Sequence, residues 1–281
     1  MGHARQGEDD VPKEIEDLCA GFMRCADCHA DPEVRHHLLS RDVLCQPPLR
    51  VAPRAWFPPR GWGGSLAPGK RDLLLVSTNP GHPLPAEEAV WEGYPARPDD
   101  AGHITRKQAV AQLDFVNALY RGEPGRTSFH TRSVQVARAL LWLVDERNGG
   151  HADLRPWLDR VWFTDVVKCS TAQESGSPGI GAMTDRCRRH LQDEIGAFSP
   201  RLVVALGSAA FNALQAAGLR LPMTLKMPHP AGRGWRRIDR PEMDEVFKVA
   251  CVLLDLEWTV VRGRFAQFRR ALAIHPRGDS R

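Results

Sequence analysis

Two short motifs place a polar side chain against a proline. Ser77-Thr78-Asn79-Pro80-Gly81 sets a Pro-Gly pair directly after an apolar run, which makes a tight turn with a small open floor beside the Asn79 amide. Far downstream, His229-Pro230 pins an imidazole in the same way, and the loop Ala231-Gly-Arg-Gly-Trp-Arg-Arg237 follows it at once. Each motif alone is ordinary turn chemistry, and their weight comes from standing at the ends of two apolar runs. Arg233, Arg236, Arg237 and Arg240 surround Trp235 with Asp239 opposing them, the footprint of a face that binds a polyanion. A third group is thiol chemistry. Cys25 and Cys28 form a C-x-x-C pair, Cys169 follows an apolar run, and Cys187 lies near a helix start. Four thiols on separate segments are consistent with an iron-sulfur cluster, with tetrahedral zinc, or with unliganded cysteines. Cys19 and Cys45 flank the pair as substitutes, and Cys251 reads as core.

The elements that must carry these residues are legible as alternating patterns. Leu73–Ser77, Val161–Val167 and Leu202–Leu206 are continuous apolar runs, each followed by a turn and a helical pattern, which predicts a parallel sheet between helices. A last strand is expected over Met223–Lys226, and helices over 105–121, 131–146, 184–197, 208–217 and 241–256. Thr184 and Ser208 are the expected N-caps, with Gly149-Gly150 and Gly218 as stops. The fold class is therefore α/β, a three-layer α/β/α sandwich with a central, mostly parallel sheet. In such sheets ligands lie at the carboxyl ends of the strands, so the loops from Thr78, Lys168, Gly207 and Pro228 should converge. Residues 1–12 are expected to be a disordered N-terminus, 13–265 one domain with a cysteine-bearing N-terminal segment, and 266–281 a basic tail. The Pro- and Gly-dense stretch 46–70 reads as irregular covering.

Composition excludes several classes. The 281 residues are 42% hydrophobic and 26% charged, with a formal net charge of +4, as in an ordinary globular protein. No apolar run approaches the roughly 20 residues of a bilayer span. The seven cysteines, an odd number in a chain large enough to build a core, disfavour a disulfide scaffold, and the expected compartment is cytoplasmic. Gly64–Lys70 has the opening of a phosphate-binding P-loop, but Arg71 stands where Ser or Thr is required and the segment precedes a strand, so it is rejected.

The stretches LLLVSTNPG, TSFHTRSVQVARALL, WFTDVVKC, CRRHLQDEIGAFSPRLVVALGSAAFNAL and MPHPAG, in this order over roughly residues 73–232, resemble the uracil-DNA glycosylase superfamily. The resemblance is closest to the iron-sulfur family 4 type. It implies a base-excision enzyme acting on DNA, single- or double-stranded, as a monomer with no membrane association. By resemblance His229 would donate to the leaving base, Asn79 would orient the attacking water, and Phe129 would stack on the extruded base. Thr78, Pro80 and Gly81 would line the pocket, and Gly81 would leave room at the base's 5-position. Cys25, Cys28, Cys169 and Cys187 would hold a [4Fe-4S] cluster, with zinc as the alternative. No lysine stands in the two catalytic motifs, LLLVSTNPG and MPHPAG, to form a Schiff base, so the enzyme is expected to be monofunctional.

One residue departs from the pattern. Asp165 stands where family 4 enzymes carry Asn, whose amide accepts from a base N–H and donates to its carbonyl, whereas an ionised carboxylate only accepts. Either Asp165 is protonated, or it points elsewhere, or the preferred base differs from uracil. After the second motif, superfamily members place the element that enters the duplex, which makes Trp235 the expected wedge and Arg233, Arg236 and Arg237 the expected phosphate contacts. Two rival readings are a DNA-binding homologue with weak or lost catalysis and a zinc-stabilised scaffold.

Overall fold

The structure, a computed structural model, describes residues 13–38, 59–65, 69–78, 80, 84, 87, 90, 94, 98–150, 155–171, 180–232 and 235–274. The N-terminal expectation for 1–12, together with Cys45, Asn79, Gly81, Arg233 and the last residues of the basic tail, lies outside them.

Three apolar runs become three fully buried strands, β2 (Leu73–Ser77), β3 (Val161–Asp165) and β4 (Leu202–Leu206). β2 pairs in parallel with both β3 and β4, and β5 (Met223–Met227) extends the sheet in parallel beyond β4. The stretch expected to be irregular contributes a short edge, β1 (Gly63–Gly64), antiparallel to β3, which gives the order β1-β3-β2-β4-β5. Asn117 fixes this edge by accepting from the Gly64 N–H and donating to its carbonyl, both at 2.7 Å.

Because successive strand residues face opposite sides, the runs feed two cores. Leu73, Leu75, Val161, Phe163, Leu202 and Val204 pack under α5 (Ser128–Arg147), α8 (Asp244–Leu253) and α9 (Trp258–Ile274). Leu74, Val76, Trp162, Val203 and Ala205 pack under α1 (Lys13–Met23), α6 (Ile180–Phe198) and α7 (Ser208–Ala216). The α4 helix (Arg106–Arg121) lies along the β1 edge and contributes to both cores. The α/β/α layering expected from the alternation is the observed one. Two four-residue helices, α2 (Asp27–Ala30) and α3 (Pro32–Arg35), follow α1. Among the described residues no helix is long and apolar enough to cross a membrane.

Several boundaries shift. Helix α6 begins at Ile180, so Thr184 is not its cap; its hydroxyl donates to the Ile180 carbonyl inside the helix. Gly207, not Ser208, stands at the N-cap of α7. The larger correction is the tail. Helix α9 continues to Ile274 and buries Phe265, Arg269 and Leu272, so the domain does not stop at 265. Arg269 pairs with Asp244 and donates to the Ile238 carbonyl, and so belongs to the interior rather than to a basic surface.

Candidate active site

The carboxyl ends of β3, β2, β4 and β5 lie side by side, and each delivers part of one site. Past the strands, Val166 and Val167 donate to the carbonyls of Ser77 and Thr78 at 2.9 Å, so the chain after β3 holds the first-motif turn against itself. Asn79 is outside the described residues, but Thr78 and Pro80 on either side of it stand at this junction. Gly207 closes β4 onto the second motif. Its N–H donates to Met227, and a Cβ at this residue, whose φ is +104°, would stand 3.0 Å from that of His229. A side chain there would displace the imidazole.

His229 is partly buried, which pushes its pKa below the ordinary value and keeps the ring neutral. Its Nδ1 accepts the Ala231 N–H at 3.2 Å, so the proton sits on Nε2 and is available for donation. The Phe129 ring, partly buried at the start of α5, lies 5.6 Å from the imidazole, centre to centre. From there a row of rings continues through His130 to Tyr120, at 5.8 and 5.3 Å, and Tyr120 stacks on Phe163 at 3.8 Å. His130 is held neutral by burial, its pKa pushed down to about 4.

At the far end of this row stands Asp165, 5% exposed at the tip of β3. Its carboxyl hydrogen-bonds the Ser77 side chain, and burial pushes its pKa up to about 8 despite the nearby cations Lys168 and Arg60. Burial, and after it the Asp165 carboxyl, push the pKa of the Tyr120 hydroxyl well above its ordinary value. Gly61 roofs the carboxyl. With φ at +92°, a Cβ there would overlap Asp165 Oδ2 and come within 2.8 Å of Pro80 Cβ. Asp165 thus faces the first motif, and near neutral pH its protonated form carries one donor and one acceptor.

The four cysteines Cys25, Cys28, Cys169 and Cys187 are buried and free of disulfides. Cys28 hydrogen-bonds both Cys169 and Cys187, and Arg189 donates to Cys25 Sγ at 3.5 Å. The neighbouring thiols push the pKa values of Cys28 and Cys187 up, and burial does the same for Cys25. Ionising all four requires a strongly cationic centre among them. Among the described residues no three His, Cys, Asp or Glu side chains have the geometry to hold a metal ion. The donor set, all sulfur and drawn from three segments, has the chemistry of an iron-sulfur cluster or a tetrahedral zinc site.

The wedge expectation for Trp235 does not hold in this conformation. The side chain is 9% exposed, folded into the core with the Arg132 guanidinium 5.8 Å from its ring. Arg236 and Arg237 are exposed, and Arg237 pairs with Asp239 at 3.0 Å, which leaves Arg236 as the freer cation of the two.

Four positions escaped the sequence reading. Arg60 is buried and pairs through Nη1 with both oxygens of Glu87, while donating to Ser170 Oγ at 3.0 Å and to the Pro80 carbonyl at 3.3 Å. It therefore joins the first-motif turn to the segment that carries Cys169. Nothing in a Pro-rich stretch signals a buried arginine. Glu87 is 2% exposed and also accepts from Gln112 and from the Leu84 N–H. Arg132 donates to the Pro230 carbonyl at 2.6 Å and so braces the second motif. His130 was readable: Thr-x-x-His reproduces the spacing of a capping box, and its Nδ1 does accept the Thr127 N–H.

No curated protein matches the chain. The family model of the uracil DNA glycosylase superfamily matches residues 66–250, a span that takes in both motifs, the aromatic row, Asp165 and two of the four cysteines. With that match over most of the sheet and its strand-end site, the chain belongs to the uracil DNA glycosylase superfamily.

Proposed function

We propose that this protein is a monofunctional DNA glycosylase that hydrolyses the N-glycosidic bond of uracil or another deaminated base. The superfamily is one of DNA glycosylases, enzymes that extrude the target nucleotide into a pocket before cleaving it. The observation that carries the reading is His229. It is a neutral imidazole, locked with its proton on Nε2, beside an aromatic ring at the sheet's strand ends.

In this reading the base stacks on Phe129 and His229 Nε2–H donates to the base oxygen on which negative charge develops. A donor already in place lowers the barrier without reorganisation. Asn79 orients the water that attacks the sugar. Asp165, held protonated, accepts the ring N–H of the base without the repulsion that an ionised carboxylate would exert on the neighbouring carbonyl, which favours activity over the rival reading of a catalytically weak homologue. The lysine nearest to Asp165 in sequence, Lys168, is buried and paired with Glu194 at 2.7 Å, which agrees with hydrolysis without a Schiff base. The four cysteines hold a [4Fe-4S] cluster, with zinc as the alternative, a reading supported by four buried thiols free of disulfides and drawn from separate segments. Bound there, the cluster supplies a cross-link between three segments and no step of the reaction.

The test is excision from single-stranded oligonucleotides carrying one uracil, hypoxanthine or xanthine, read as alkali-labile abasic sites. The parent should release at least one of these bases. His229→Ala should lower the single-turnover rate by about 100-fold or more, the scale of removing one transition-state donor. A parent protein that leaves all three bases in place defeats the glycosylase reading.

A further inference from the structure

Two imidazoles flank the Phe129 ring, His229 at 5.6 Å and His130 at 5.8 Å. Both are held in the same form by the backbone. The Ala231 N–H donates to His229 Nδ1 at 3.2 Å, and the Thr127 N–H donates to His130 Nδ1 at 3.1 Å, with Thr127 Oγ1 a further 2.9 Å contact. A ring nitrogen that accepts an N–H carries no proton, so the proton of each neutral ring is on Nε2. His130 Nε2 has no hydrogen-bond partner among the described residues. His130 also meets the Tyr120 ring at 5.3 Å, and Tyr120 stacks at 3.8 Å on Phe163, whose side chain shares a face of β3 with that of Asp165 two residues on, so the row of rings leads from the donor toward the carboxyl.

We propose that His130 is a specificity-determining residue whose Nε2–H donates to a ring carbonyl of the extruded base while Asp165 accepts the adjacent ring N–H. The two side chains together then do what one amide would do at the Asp165 position. This rests on the glycosylase reading and narrows its substrate class to bases with a carbonyl beside a ring N–H, the edge shared by uracil, hypoxanthine and xanthine. Bases with an amino group beside a bare ring nitrogen present the opposite polarity and leave the His130 donor facing another donor.

The competing role is that His130 only caps α5. Glu and Gln both serve at this third helical position of a capping box, but only Gln also offers a donor. Single-turnover excision and thermal melting of the full chain are therefore compared for the parent, His130→Gln and His130→Glu. The substrates are single-stranded oligonucleotides carrying uracil or 2-pyrimidinone, which lacks both the 4-carbonyl and the ring N–H beside it, so each variant is compared with the parent on the same base. The expected result is similar melting for the three proteins. His130→Gln should stay within about threefold of the parent on uracil, while His130→Glu should lose about 10- to 100-fold there and far less on 2-pyrimidinone. Equal rates for the two variants on uracil, or equal losses on both bases, would overturn the assignment. If the parent cleaves none of the bases, the glycosylase reading falls separately. The same variants are then judged by affinity for an oligonucleotide carrying 2′-fluoro-deoxyuridine, where equal affinities overturn the role of His130 as well.

Discussion

At the scale of single residues, Asp165 shows how one carboxyl changes meaning with its surroundings. In water it would be an anion; under Gly61 and at the end of a buried strand it stays protonated up to about pH 8. Below about pH 4 the folded and unfolded chains both hold this proton, and the group's contribution to stability is fully present. Between pH 4 and 8 the unfolded chain releases the proton and the folded one does not, so that contribution declines with rising pH and is gone above the folded value. Asp165→Asn removes this dependence. The variant should gain stability over the parent as pH rises from 5 to 8, by on the order of 1 kcal/mol per pH unit at most, as read from urea denaturation. Excision by the parent should fall above about pH 8, while that of the variant stays flat. Parallel stability curves for the two proteins would show that the carboxyl is ionised throughout.

At the scale of elements, the site is held by buried ion pairs that join segments distant in sequence. Arg60 and Glu87 are 7% and 2% exposed at their side chains, and together they fasten the Pro80 turn to the chain after β3. Removing one partner leaves the other charged and buried, so Arg60→Met and Glu87→Leu should each cost about 3–5 kcal/mol, and the double variant less than their sum. Equilibrium denaturation of the full cycle checks this; additive losses would mean that the pair does not couple. Arg60→Lys keeps the charge but not the fork, and should lower the excision rate more than DNA affinity. This layer was the least legible in the sequence. Continuous apolar runs announced β2, β3 and β4, and glycines announced the ends of α5 and α7, because periodicity and backbone freedom are local signals. Arg60, Glu87 and the β1 edge depend on partners tens of residues away, and a Pro-Gly-rich stretch offers no period from which to find them. Trp235 fails for the same reason. The residue suited to a wedge is equally suited to a core, and Arg132, far away on α5, decides between them. The second half of helix α9, from 266 on, reads as tail because arginines dominate the end of the sequence, whereas Arg269 meets Asp244 inside the fold.

At the scale of the whole molecule, the two main cores account for the sheet and its helices but not for the cysteine region, which forms a third, small cluster. Cys28, Val34, Leu38, Val167, Cys169, Met183 and Cys187 pack there, and Leu38 bridges to Thr171 beside it. Helices of four residues such as α2 and α3 have no stability of their own, and so small an apolar group offsets little of the chain entropy lost on ordering. Helix α1 differs, because Ile15, Cys19, Ala20, Phe22 and Met23 belong to the large core. If a cluster ties the four thiols together, removing its iron should loosen the molecule along that division. Hydrogen exchange after chelation should accelerate in 24–38, 167–171 and 180–187, while β2, β4 and β5 keep their protection. The effect should reach the chemistry through Ser170, which Arg60 links to Pro80, so excision should fall as well. Cys28→Ser should reproduce both changes together with loss of iron and visible absorbance. Exchange that stays unchanged in 24–38 after complete iron removal would mean that packing alone orders the segment.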